Sequence, residues 1–319
     1  MKHRKATAIG AWVFDLRQAA NLTRCNLPLQ RRHWIEKLDS GLASGTSSTS
    51  MALADMDGDG DLDLYCTHYI DFMHLIDPTT HFEMGQSNGR WIVSKVNGIS
   101  TSLPRFKDRF EVLADGEIRE IPEADALYRN DGNGHLTAIQ SDPGVFLDES
   151  GRPMLPPRDW GLAVVFRDLD GDGFPDLYIS NDYASPDRLL INDGRGHFRA
   201  ISPLKLRHTS FNSMGIDVAD VDRDGLDDIL VLDLLAARHE RRLRQLSKKA
   251  PDPRERESLA GRPQFNRNML FFGRPRGGFG EGALQAGVAA SDWSWCEQIV
   301  PISADQLEMR EVRIQYQRP

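Results

Sequence analysis

Short apolar runs recur along this chain, each bounded by turn-forming residues. Gly161-Leu-Ala-Val-Val-Phe166 precedes one polar stretch and Leu177-Tyr-Ile-Ser180 follows it, and Ile229-Leu-Val-Leu232 follows a second stretch of the same kind. Runs of this length, rich in β-branched and aromatic residues, predict strands rather than helices. No run approaches the roughly 18 apolar residues of a membrane-spanning helix. Leu234–Lys249 has a different character: it is rich in helix formers, with Leu235, Leu243 and Leu246 as apolar positions and Arg238, Arg241, Arg242, Arg244, Lys248 and Lys249 as charges. It predicts a solvated basic helix lying across the fold, with a docking surface for an acidic partner or phosphate as the sharper alternative; Pro251 and Pro253 end it. The pattern predicts an all-β chain with loop and helical insertions.

The polar stretches between the strands carry the chemistry. Asp168-Leu-Asp-Gly-Asp-Gly-Phe-Pro-Asp176 has carboxylates at positions 1, 3, 5 and 9 and glycine at 6, and Asp55–Asp63 and Asp220–Asp228 repeat it in register. Like charges this close repel one another and raise one another's pKa unless a cation intervenes. Calcium takes 6–8 oxygen ligands of this kind. Gly60, Gly173 and Gly225 stand where the chain must turn through positive φ. The variable position 7 (Asp61, Phe174, Leu226) suits a backbone carbonyl ligand. The candidate ligands are therefore Asp55, Asp57, Asp59, Asp61 and Asp63; Asp168, Asp170, Asp172 and Asp176; and Asp220, Asp222, Asp224 and Asp228. About three Ca²⁺ ions are expected. An EF-hand is excluded, because it needs a bidentate Glu at position 12 and flanking helices. Position 12 here is Cys66, Ile179 and Val231, and the flanks read as strands.

Downstream of the first two loops stand Leu127-Tyr-Arg-Asn-Asp-Gly-Asn-Gly-His-Leu136 and Leu189-Leu-Ile-Asn-Asp-Gly-Arg-Gly-His-Phe198, and Leu270–Phe279 is a decayed third copy. Loop and downstream element together resemble the FG-GAP (VCBS) repeat of integrin-α-type β-propellers. The wording of Asp159-Trp-Gly-Leu-Ala and Ser213-Met-Gly-Ile-Asp217 resembles bacterial relatives of cartilage acidic protein. The resemblance implies a calcium-binding β-propeller over residues 41–295 that serves as an interaction or adhesion platform for a protein or glycan. Insertions lie at 68–126 and 234–266, after a poorly defined segment at 1–40 and before an atypical tail at 296–319. Ser291-Asp-Trp-Ser-Trp295 resembles the start of a further repeat, yet no acidic nonapeptide follows it. Propellers close with about 4–8 blades, so a partial chain with an open count of blades is expected.

Bulk properties narrow the function. The chain has 319 residues and a net charge of −8. Three bound Ca²⁺ would bring that to about −2, so the acidity belongs to the loops, and nucleic acid is not an expected partner. Cys25, Cys66 and Cys296 form neither a disulfide framework nor a metal spacing; Cys66 is expected to be a small buried residue. Met1–Lys5 is basic and a short apolar run follows, but no convincing cleavage site is present. An extracellular, periplasmic or cell-surface setting is expected from the calcium chemistry and the family resemblance. His68, His74 and His81 are expected to be surface or satisfied core residues rather than zinc ligands. No nucleophile elbow, zinc-protease motif or phosphate loop occurs, so a non-catalytic scaffold is expected. The alternative is a secreted calcium-dependent carbohydrate-active enzyme, a lyase or hydrolase, with Arg223 as the loop-internal cation.

Overall fold

The computed structural model describes residues 40–43, 47–70, 74–75, 77–106, 108–183, 185–245, 262–292, 294–295 and 299. The expectations for residues 1–39, for Leu246, Lys248, Lys249, Pro251 and Pro253, and for the tail fall outside them, Ile299 apart.

Three four-stranded antiparallel sheets follow one another along the chain. The first runs Ser48–Ala54, Asp63–His68, Ala126–Asn130, Leu136–Ala138. The second runs Gly161–Arg167, Asp176–Asn181, Arg188–Asn192, Phe198–Ala200, with Phe146–Leu147 added in parallel at its outer edge. The third runs Gly215–Ala219, Asp228–Leu232, Met269–Arg274, Gly278–Glu281. Each is a blade in which neighbouring strands pair in sequence order. The inner strand of the second blade touches those of the first and third. The architecture is all-β and of β-propeller type.

The apolar runs are continuous because each blade is covered on both faces. In the second strand of the second blade, Leu177 and Ile179 enter the core shared with the first blade, where Met56, Tyr65 and Leu127 also lie. Tyr178 between them enters the core shared with the third blade, beside Ile229, Val231, Met269 and Phe271. Leu230 points to the far face of the third blade, which Ala283, Val288, Ala289 and Ile299 cover. Cys66 is buried as expected, in the first blade's outer core with Leu64 and Tyr128; burial pushes its thiol up to about 12.

The insertions hold structure that the strand pattern did not anticipate. Phe82–Ser87, Arg90–Val96 and Ile99–Ser100 form a three-stranded sheet, and Phe110–Val112 pairs with Ile118–Glu120. Val93, Val96 and Phe106 are the core of this lobe. The tight turns are Asn88-Gly89 (φ 51° and 76°) and Asn97-Gly98 (φ 51° and 76°), the backbone that a two-residue hairpin loop requires. The basic helix starts later than predicted, at His239, and is described as far as Gln245. Its expected first turn is instead a crossing segment: Leu235 O accepts from the Asp292 N–H, and Ala236 is fully buried.

Candidate metal centre

Each acidic nonapeptide joins the first and second strands of its blade, at the same corner in all three. Hydrogen bonding holds the loops in one shape. At position 1, Asp55 accepts from the Gly58 N–H (2.8 Å) and the Gly60 N–H (3.0 Å), and Asp168 accepts from Gly171 (2.8 Å) and Gly173 (2.9 Å). Asp220 does the same with Asp224 (3.1 Å) and Gly225 (3.0 Å). The position 6 glycines have φ of 90°, 95° and 88° (Gly60, Gly173, Gly225), the left-handed region where a Cβ is costly. Arg223 takes a φ of 63° in the third loop, where the other two have glycine.

The closing aspartate ties each loop to the third strand. Asp63 accepts from the Met56 N–H (3.1 Å) and the Asn130 N–H (2.8 Å). Asp176 accepts from Leu169 (2.9 Å) and Asn192 (2.9 Å), and Asp228 accepts from Val221 (2.7 Å) and Gly273 (2.8 Å). All three are fully buried. Burial pushes the carboxyl of Asp63 up to about 6 and that of Asp176 up to about 7, against the backbone donors, while neighbouring loop aspartates raise both further. Asp228 is raised by burial as well. A nearby cation would reverse this and hold the carboxylates ionised.

Positions 1, 3 and 9 converge. One carboxylate oxygen each from Asp55, Asp57 and Asp63 lie within 4.8 Å of one another, as do those from Asp168, Asp170 and Asp176, and from Asp220, Asp222 and Asp228. In the first loop, Asp57 Oδ1 is buried with no hydrogen-bond partner, an acceptor whose isolation is costly unless a cation meets it. An all-oxygen, all-carboxylate donor set fits a hard divalent ion. These nine residues can hold three metal ions. The other predicted ligands are placed differently. Asp59, Asp172 and Asp224 each accept the backbone N–H of position 7 at 2.9 Å, and they stand outside the converging groups. Asp61 turns towards Gly132 in the downstream Asn-Asp-Gly element.

The histidines do not assemble. His68 is buried with Nδ1 against Ala124 O (2.8 Å), His74 pairs with Glu120 (2.9 Å), and His81 is exposed. Among the described residues no converging group contains a histidine.

Several contacts around the loops lie outside the reach of local sequence reading. Arg129 Nε is 3.0 Å from Asp57 Oδ2. Asn192 Nδ2 donates to Met56 O (2.8 Å), joining the second blade to the first loop. A groove of about 450 Å³ between the second and third loops is lined by Arg167, Asp168, Asp170, Asp227 and Arg274. Arg167 forms an ion pair with Asp227. The cations of this groove are Arg167 and Arg274; Arg223 does not line it.

A family model for the FG-GAP-like repeat matches residues 118–179 and 168–231. Residues 118–231 are thus similar to two FG-GAP-like repeats. The two matches include the second and third acidic loops and leave the first outside. No curated protein matches the chain. Among solved structures, one described as the basis of specific recognition of non-reducing terminal N-acetylglucosamine by an Agrocybe aegerita lectin aligns at 14% identity and a TM-score of 0.23. The alignment covers 72% of this chain and 63% of that one, a likeness too distant to say anything of this chain's ligand.

Proposed function

We infer that this FG-GAP-like chain is a calcium-stabilised, non-catalytic scaffold that presents its loops and insertions to a protein or glycan outside the cytoplasm. It is similar in wording to bacterial relatives of cartilage acidic protein, whose propellers suggest that role. The observation that carries the reading is the threefold convergence of positions 1, 3 and 9 at equivalent blade corners. Buried carboxylates in three turns are costly without a cation, and they stabilise the fold once one binds. With free calcium at 100 times its dissociation constant, each site adds about 2.7 kcal/mol, against a typical total stability of roughly 5–15 kcal/mol. No helix among the described residues is long and apolar enough to cross a membrane.

The test is thermal melting of the purified protein in calcium and in chelator. The expected result is a melting temperature lower by roughly ten degrees or more in chelator. Identical curves would remove the basis of the proposal.

A second reading, a calcium-dependent carbohydrate-active enzyme, draws on the groove beside the second loop. Arg167 and Arg274 line it next to Asp168 and Asp170. Polyuronide cleavage that needs calcium and disappears in Arg274→Ala would favour it over the scaffold.

A further inference from the structure

The three loops match in backbone, but their surroundings differ at one point. The third strand of each blade follows a common register: Asn130 faces Leu136, Asn192 faces Phe198 and Gly273 faces Phe279 across to the outer strand. The residue just before is Arg129 in the first blade, Ile191 in the second and Phe272 in the third. Arg129 alone of these carries charge, and its Nε lies 3.0 Å from Asp57 Oδ2. Its guanidinium also lies close to Gly196 in the second blade's outer turn, where a Cβ would stand 3.4 Å from Arg129 Nη2.

We propose that Arg129 acts as a built-in competitor for the cation at the first loop and makes it the weakest of the three sites. This rests on the reading of the loops as calcium sites. The chemistry is local. Asp57 belongs to the converging group of its loop, and one of its two oxygens is ion-paired with a guanidinium, without a hydrogen bond from its Nε, while the other is buried and unpartnered. Asp170 and Asp222, at the same position in the other loops, form no such contact pair among the described residues; Lys205 lies near Asp170 and favours its ionised form, but it does not ion-pair with it as Arg129 does with Asp57. A fixed positive charge on a ligand carboxylate lowers the negative potential that attracts the ion and leaves that carboxylate only one oxygen to offer. The ion pair is part-exposed, with side-chain accessibilities of 43% for Arg129 and 16% for Asp57, so the expected weakening is roughly twofold to fivefold. As free calcium falls, the first loop empties before the second and third. That loop carries Met56, the residue that fills the core between the first two blades, so this joint of the scaffold is the one most responsive to calcium.

The test is a calorimetric calcium titration of the full chain, with Asp63→Asn and Asp176→Asn as site markers. The wild type is expected to show two tight sites and one weaker by roughly twofold to fivefold. Asp63→Asn should delete the weak phase alone, and Asp176→Asn should delete a tight one. Arg129→Ile, which copies the second blade, should tighten the weak phase to match the others. Arg129→Gln supplies a neutral side chain of similar reach in case isoleucine disturbs folding, and it should do the same. Arg129→Lys should retain the weak phase. If the neutral variants leave the weak phase unchanged, or if Asp63→Asn deletes a tight phase, the role of Arg129 is overturned while the calcium sites stand. No calcium uptake at all by folded wild type overturns both.

Discussion

At the scale of single residues, the closing aspartate carries the most weight in each loop. Asp176 is buried, takes two backbone donors and joins the converging group, whereas Asp61 stands outside its group and faces the downstream turn. Asp176→Asn should therefore cost one of three cations, and roughly 1–3 kcal/mol even in chelator, because an amide N–H₂ then faces a backbone N–H. Asp61→Asn should leave the calcium stoichiometry unchanged. Atomic metal analysis of dialysed protein reads both, and equal losses from the two variants would contradict the assignment.

The same carboxylates set a pH dependence with a definite sign. Without a cation, the folded protein holds a proton on Asp176 up to about 7 and on Asp63 up to about 6, both well above the ordinary 3.8. These groups thus favour the cation-free fold at low pH, and that contribution is lost as pH rises through 6 to 7. Calcium needs the ionised form, so protons compete with it over the same window. The rise in melting temperature produced by a fixed calcium concentration should be larger at pH 8 than at pH 5.5. A rise that grows on acidification would show that these carboxylates are not the ligands.

At the scale of elements, position 2 of the first two loops is a plug. Met56 and Leu169 are buried, each in the core between its own blade and the next, while Val221 of the third blade is only half-buried. The difference follows from position, since among the described residues no further sheet lies beyond the third blade. Met56→Ala should destabilise the protein by about 2–5 kcal/mol through the cavity it leaves, and Val221→Ala by clearly less. Urea unfolding of the two variants compares them directly, and equal losses would mean that the plug is not what joins the blades.

Elements also show what was legible in the sequence. The loops and the strands beside them could be read because their ligands sit within nine residues and their neighbours are unbroken apolar runs. The hairpins of the first insertion were missed, although Asn88-Gly89 and Asn97-Gly98 are the turn signals that mark them. Their strands, such as Phe-Glu-Met-Gly-Gln-Ser, lack a clean apolar alternation. Contacts between distant positions could not be read at all. Tyr65 donates to Asp125 (2.8 Å) and Tyr178 to Asp187 (2.9 Å), the same brace in two blades. The third blade has Leu230 and Asn268 in those places and lacks the hydroxyl brace, but Asn268 Oδ1 still takes the Asp233 N–H (2.7 Å), as Asp125 and Asp187 take those of His68 and Asn181. The pair Arg129 and Asp57 is likewise set by the register of strands far apart in the chain.

For the whole molecule, the three proposed ions would be structural parts of the fold. Each loop fixes where one strand turns into the next, and Met56 and Leu169 fill cores beside their loops, so the proposed cation sites and blade packing should respond together. The most direct measurement is a crystal structure grown with calcium and examined for anomalous scattering. The account predicts three peaks, one each among Asp55, Asp57 and Asp63, among Asp168, Asp170 and Asp176, and among Asp220, Asp222 and Asp228. Well-ordered loops with no ion at any of these three points, in saturating calcium, would contradict it.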